Sequence, residues 1–62
     1  MNDAMLKKVC LLTENKSKIE GLKSVYTSDE ISAALAGTIN AYSSALAVLL
    51  IEREQIYAMS DT

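Results

Sequence analysis

The sequence predicts an all-α protein, specifically an antiparallel two-helix hairpin that completes a helical bundle by dimerisation or with a partner. Apolar residues recur every seven residues in both halves of the chain, and a helix-start signal lies between them. The 62 residues include no proline and only two glycines, so little interrupts a helix. We expect one domain over residues 1–62, with a helix at 3–24, a connection at 25–27, a helix at 28–58 and a polar tail at 59–62.

The first helix is predicted from an amphipathic stripe that follows Asn2 and Asp3, either of which can act as its N-cap. The stripe contains four residues spaced seven apart, with two more on the same side: Met5, Leu12, Ile19 and Tyr26, then Val9 and Leu22. Gly21 lies within this helix and lowers its stability by up to about 1 kcal/mol relative to alanine. The pattern leaves open whether Gly21 bends the helix.

A capping box predicts the start of the second helix. The Thr27 hydroxyl can accept the backbone N–H of Glu30, while the Glu30 carboxylate reaches back to the N–H of Thr27. Tyr26 and Ile31 are placed to touch as a hydrophobic staple, and Asp29 adds negative charge where the helix dipole favours it. So short a connection normally returns the chain antiparallel. A continuous bent helix is the alternative, and the capping box argues against it.

The second helix is predicted over residues 28–58 from a matching stripe. Its members are again seven residues apart: Leu35, Tyr42, Leu49 and Ile56. The two stripes should pack together at a shallow left-handed crossing near +20°. The residues expected to form the core of the hairpin are Leu12, Ile19, Leu22, Leu35, Tyr42 and Leu49.

The second helix carries more apolar surface than one neighbouring helix can cover. Residues 45–51 are seven consecutive apolar residues that go almost twice around a helix. Leu50 and Ile51 point away from the packed stripe. A ridge of small residues four apart allows close approach of another backbone, and its members are Ala33, Gly37, Ala41 and Ala45. The residues predicted to form a protein interface are Ala33, Ala36, Gly37, Ala41, Ala47, Leu50, Ile51 and Tyr57.

Composition favours a partner chain as the source of additional stability. A domain of this size buries little core and usually adds disulfides, a metal or a second chain. Cys10 is the only cysteine and there is no histidine, so an internal disulfide is excluded and a zinc site is disfavoured. We expect a protein partner, in a homodimer or a hetero-complex. Six basic residues and a net charge of −2 argue against nucleic-acid binding.

Enzymatic chemistry is not indicated. The acidic residues are scattered, no glycine-rich phosphate loop occurs, and the absence of histidine disfavours Cys10 as a nucleophile. We expect no catalytic residue, cofactor or metal. A lone cysteine is typical of a reducing compartment, and the N-terminus lacks the pattern of a secretory signal, so a cytoplasmic location is predicted.

A membrane span is the alternative for the uncharged segment 31–51, which is long enough to cross a bilayer. Its first half is only weakly apolar because it contains several serine, threonine and asparagine residues. Acidic residues flank both ends, where one side should carry lysine or arginine, and neither end shows an aromatic belt. These features make the span the less favoured interpretation.

The layout resembles the smallest subunit of type III secretion needle-chaperone pairs, which are short helical hairpins. The similar parts are residues 11–26, the hinge Thr27-Ser28-Asp29, and the apolar run 45–51. The resemblance implies a tetratricopeptide-type chaperone subunit as partner. It also implies a co-chaperone role, in which the apolar face of helix two helps to keep a needle subunit unpolymerised before export. A self-associating regulatory or structural helical bundle is the alternative function.

Overall fold

The computed structural model describes residues 2–60, which form three α-helices and no strand. Helix α1 spans Asp3–Val25, α2 spans Ser28–Leu35 and α3 spans Ala41–Tyr57. Helix α3 packs along α1 and also contacts α2. The predicted all-α class is confirmed. Residues 61–62 of the predicted polar tail lie outside the described residues.

The first helix agrees with its prediction. The Asn2 side chain caps it by accepting the backbone N–H groups of Ala4 at 2.8 Å and Met5 at 3.3 Å. Helix α1 continues without a break through Gly21 to Val25. It ends because Tyr26 adopts extended backbone angles.

The predicted capping box begins α2. The N–H of Glu30 donates to the Thr27 hydroxyl at 3.2 Å, and the N–H of Thr27 donates to the Glu30 carboxylate at 3.1 Å. The Tyr26 ring packs edge-to-face on Tyr42 of α3, with ring centroids 5.7 Å apart. An aromatic pair of this geometry stabilises the corner beyond the area it buries.

The prediction of one continuous helix at 28–58 is wrong, because the chain leaves helical geometry between Leu35 and Ala41. Gly37 has a φ of +88°, a conformation that side-chain-bearing residues rarely adopt. The N–H of Thr38 donates to Ala33 O at 2.9 Å and that of Gly37 donates to Ala34 O at 3.1 Å, which together form a Schellman C-cap. The chain therefore forms three helices and not the predicted two.

Asn40 explains why a new helix begins after this break. Its side-chain oxygen accepts the N–H of Ser43 at 2.9 Å, and its own N–H donates to the Ser43 hydroxyl at 2.9 Å. The Asn40 amide nitrogen also donates to the carbonyl of Glu30 at 2.8 Å. One side chain therefore caps α3 and ties its start to the first turn of α2.

Because of this break, several residues predicted to lie in the core or on the small-residue ridge have different positions in the structure. Leu35 was expected in the core but is 84% exposed, because α2 ends there and does not continue the stripe into α3. The small residues 33, 37 and 41 do not share one helix, so the ridge does not exist as a continuous surface. The other expected core residues are buried or half-buried: Leu12, Ile19, Leu22, Tyr42 and Leu49.

The two glycines should respond oppositely to alanine. Gly37→Ala is expected to lower the free energy of unfolding by about 1–2 kcal/mol, since alanine is strained at positive φ. Gly21→Ala is expected to raise it by up to about 1 kcal/mol, because a Cβ there meets nothing within 4 Å. Urea denaturation of the full chain measures both changes. Equal effects of the two substitutions would contradict the C-cap assigned to Gly37.

The chain is elongated and thinly covered. Its radius of gyration is 14.1 Å, against about 11 Å for a compact domain of this length. Its accessible surface is 4505 Å², against about 3,900 Å² for a typical monomer of this mass. Among the described residues the buried apolar side chains are those of Ile19, Tyr42 and Ile56. Most apolar surface of α1 and α3 is therefore only partly covered within the chain.

Within residues 2–60, no helix combines the length and the apolar character that crossing a bilayer requires. The segment 31–51, which the sequence offered as an alternative span, is divided among α2, the connection after it and α3.

Candidate protein-binding surface

A polar link holds α1 and α3 together at mid-length. Asn15 is completely buried, and its amide nitrogen donates to the carbonyl of Leu49 at 2.9 Å. Its amide oxygen accepts Nε–H of Arg53 at 3.2 Å. Because a buried amide needs both of its partners, this arrangement fixes how the two helices align along their axes.

Sequence reasoning did not identify Asn15, although a signal was present. Asn15 lies three residues after Leu12 and four before Ile19, which places it on the apolar stripe of α1. A single polar residue on such a stripe commonly sets the register between helices.

Two lysines of α1 make further contacts with α3. Nζ of Lys8 donates to the carbonyls of Tyr57 and Met59 at 3.1 Å each, where the helix dipole favours a cation. Lys18 forms an ion pair with Glu52 at 3.3 Å, but both side chains are substantially exposed. An ion pair in that setting contributes less than about 1 kcal/mol. The hydrogen bonds of Asn15 and Lys8 to α3 therefore contribute more to the alignment of the two helices than the Lys18–Glu52 ion pair does.

Beside this packed seam lies an open groove between α1 and α3, with a volume of about 430 Å³. We call it the α1/α3 groove. Its floor is apolar, since Ile19 is buried and Leu12 half-buried. Its other lining residues from α1 are Val9, Thr13, Lys16, Glu20 and Lys23, and those from α3 are Arg53 and Tyr57.

The predicted interface residues of α3 are accessible. Leu50 is 42% exposed, Ile51 60% and Tyr57 57%, and Ala47 is exposed as well. We call these four residues the α3 free face. Leu50 lies three residues before Arg53 and so borders the α1/α3 groove, which Tyr57 lines directly. Leu50 and Ile51 were predicted to point away from the intramolecular stripe, and both side chains are exposed in the structure.

The remaining predicted interface residues are not part of this surface. Ala36 and Gly37 are exposed in the connection after α2, and Ala41 is exposed as the first residue of α3. Ala33 is half-buried within α2. Of these residues, Gly37 has a structural role that depends on its small size, because its positive φ ends α2. The structure thus separates the predicted interface into the α3 free face and a backbone turn.

Apolar side chains of α1 extend the accessible surface across the groove. Val9 lines the groove with Tyr57, and Met5 lies one helical turn before Val9. Met5 is 45% exposed and Val9 53%. The α3 free face and the first turns of α1 therefore present apolar groups on both sides of the α1/α3 groove.

Chemical groups in the groove are few. Its charged side chains are Lys16, Glu20, Lys23 and Arg53, and it contains no cysteine. In the part of the chain that the structure describes, no three His, Cys, Asp or Glu residues are grouped to hold a metal ion. Comparison with protein-family models, curated proteins and solved structures found no match to this chain.

Proposed function

We propose that the chain is a non-enzymatic protein-binding module whose paired helices α1 and α3 are completed into a bundle by helices of another protein molecule. The observation that supports this most is the exposure of Leu50, Ile51 and Tyr57 on one short helix. A soluble monomer seldom leaves such a set of large apolar groups together in water.

The layering of the fold supports the same proposal. Stable domains are built from packed layers of secondary structure around a shared core. Here α1 and α3 lie side by side, and only three apolar side chains among the described residues are buried. Each 100 Å² of apolar surface removed from water contributes about 2.5 kcal/mol. A partner that covers the α3 free face would therefore strengthen a chain with a small core of its own.

Two forms of the partner follow from this proposal. A second copy of the chain would give a symmetric bundle, as in a self-associating regulatory or structural protein. The resemblance to small needle-chaperone subunits suggests instead a tetratricopeptide-type subunit, with a co-chaperone role toward a type III secretion needle subunit. Both forms use the α3 free face, so one experiment addresses them together.

Site-specific photo-crosslinking in cells that produce the full chain tests the proposal. A photoreactive amino acid replaces Leu50 or Ile51 in separate variants, and Glu14, which is exposed on α1, serves as the matched control. Irradiation is expected to give one discrete adduct from positions 50 and 51 and none from position 14. Mass spectrometry of the adduct distinguishes a second copy from a different protein.

The contrary outcome is equally clear. If positions 50 and 51 give no adduct, or give the same mixture of adducts as position 14, the α3 free face is not a binding surface and the proposed function is wrong. Circular dichroism of each variant confirms that its helices are retained.

A further inference from the structure

The charge of the α1/α3 groove is opposite to that of the chain. The groove carries the cations Lys16, Lys23 and Arg53 and the single anion Glu20, whereas the whole chain has a net charge of −2. We propose that this groove binds an amphipathic helix of a partner protein that carries acidic residues beside its apolar stripe. The inference rests on the proposed function and specifies the chemistry of the partner.

Arg53 is held ready for a carboxylate. Its Nε–H is fixed by the Asn15 oxygen at 3.2 Å, and Asn15 is itself anchored to the carbonyl of Leu49. Within residues 2–60 this is the only hydrogen bond of the Arg53 side chain, so its terminal nitrogens retain their donors. A guanidinium positioned in advance binds a carboxylate with two parallel hydrogen bonds and loses little side-chain freedom.

The floor and length of the groove suit a helix. Leu12 and Ile19 form an apolar base, and Val9 and Tyr57 add exposed apolar groups at one end. The groove follows α1 from Val9 to Lys23, and these fourteen residue steps span about 21 Å at the rise of an α-helix. A helix of about four turns would place apolar residues at i, i+3, i+4 and i+7 on this floor.

The same features disfavour two other occupants. A nucleic acid would require a broader positive surface, whereas the chain is acidic overall and Glu20 lies within the groove. A second copy of the chain would need to present an acidic helix face, and the exposed face of α3 is mainly apolar. Both occupants become outcomes of the test.

Fluorescence anisotropy with three labelled helical peptides tests the proposal on the full chain. The peptides share one leucine stripe of about four turns and carry glutamate, glutamine or lysine beside it. The glutamate peptide is expected to bind at least about tenfold more tightly than the glutamine peptide, and the lysine peptide most weakly. The preference should shrink at high salt, because screening weakens exposed charge pairs.

A matched pair of variants localises the effect. Lys16→Glu reverses a charge in the groove, whereas Lys7→Glu makes the same change at an exposed position of α1 outside it. Lys16→Glu is expected to weaken binding of the glutamate peptide about tenfold or more, and Lys7→Glu by less than about threefold. Equal losses in both variants would mean that only overall charge matters, which overturns the proposal.

The other outcomes also decide the question. Equal binding of all three peptides overturns the acidic preference, and so does displacement of the glutamate peptide by a single-stranded oligonucleotide. Self-association of the chain that blocks peptide binding assigns the groove to a second copy instead. Absence of binding by any peptide overturns the groove proposal. The proposed function is tested separately, by the crosslinks from positions 50 and 51.

Discussion

Replacing Leu50 by aspartate is expected to weaken association with the partner about a hundredfold, or by about 3 kcal/mol. A carboxylate that is covered by apolar groups loses its hydration without gaining a partner. The isolated chain should change little, because Leu50 is already 42% exposed and aspartate lowers helix stability by only about 0.7 kcal/mol. If the chain self-assembles, light scattering measures the effect. If it forms a hetero-complex, the effect is measured by titrating each variant with the purified partner that crosslinking identifies.

Gln55→Asp provides the matched control for this result. Gln55 is exposed on the same helix, but five residues beyond Leu50 it faces a different direction. Gln55→Asp adds the same charge as Leu50→Asp, and it should leave the association constant within about twofold of that of the unmodified chain. Unchanged assembly of Leu50→Asp, or equal losses in both variants, would show that the α3 free face does not bind the partner.

Asn15→Ala is expected to lower the free energy of unfolding by about 2 kcal/mol or more. The substitution removes the hydrogen bonds to Leu49 and Arg53 and leaves a cavity at a completely buried position. A single core in a chain of this size supplies only about 3–5 kcal/mol. Thermal unfolding followed by circular dichroism should therefore show a broad transition at a much lower temperature.

Two companion variants separate the causes. Asn15→Leu restores volume without the hydrogen bonds, so its difference from Asn15→Ala reports the cavity. Lys18→Ala removes only the exposed pair with Glu52 and should change stability by less than about 1 kcal/mol. Stability of Asn15→Ala equal to that of the unmodified chain would show that the buried amide does not hold α1 and α3 together.

Local signals predicted the helix starts well. The capping box at Thr27 depends on residues three apart, and its hydrogen bonds occur as expected. The spacing of apolar residues also placed Ile19 and Tyr42 in the packed seam and left Leu50 outside it. These features follow from the period of the helix and from the chemistry of neighbouring side chains, both of which a sequence displays directly.

The break after α2 was missed because two competing patterns overlap. The seven-residue repeat runs through Leu35 and Tyr42 and favours one helix, whereas Gly37 and Asn40 supply an end and a new start. The helix breaks here because two sets of hydrogen bonds satisfy the backbone groups that helix ends would leave unpaired. These are the Schellman bonds at the end of α2 and the capping box that Asn40 forms with Ser43 at the start of α3. A glycine three residues before an asparagine cap was the available signal.

The α1/α3 groove could not be predicted from spacing alone. Its lining joins residues of α1 to Arg53 and Tyr57, and their meeting depends on how the two helices align. That alignment is set by Asn15, whose two partners lie thirty-four and thirty-eight residues away in the chain. A pattern within one helix does not contain this information.

The central claim is that the paired helices α1 and α3 need a further protein layer, and thermal unfolding of the purified chain as a function of its concentration tests it most directly. The account predicts a transition temperature that rises with concentration, as self-association requires, or a lone chain without a cooperative transition. A sharp transition at one temperature across all concentrations, with Leu50 and Ile51 still accessible to solvent, would contradict it.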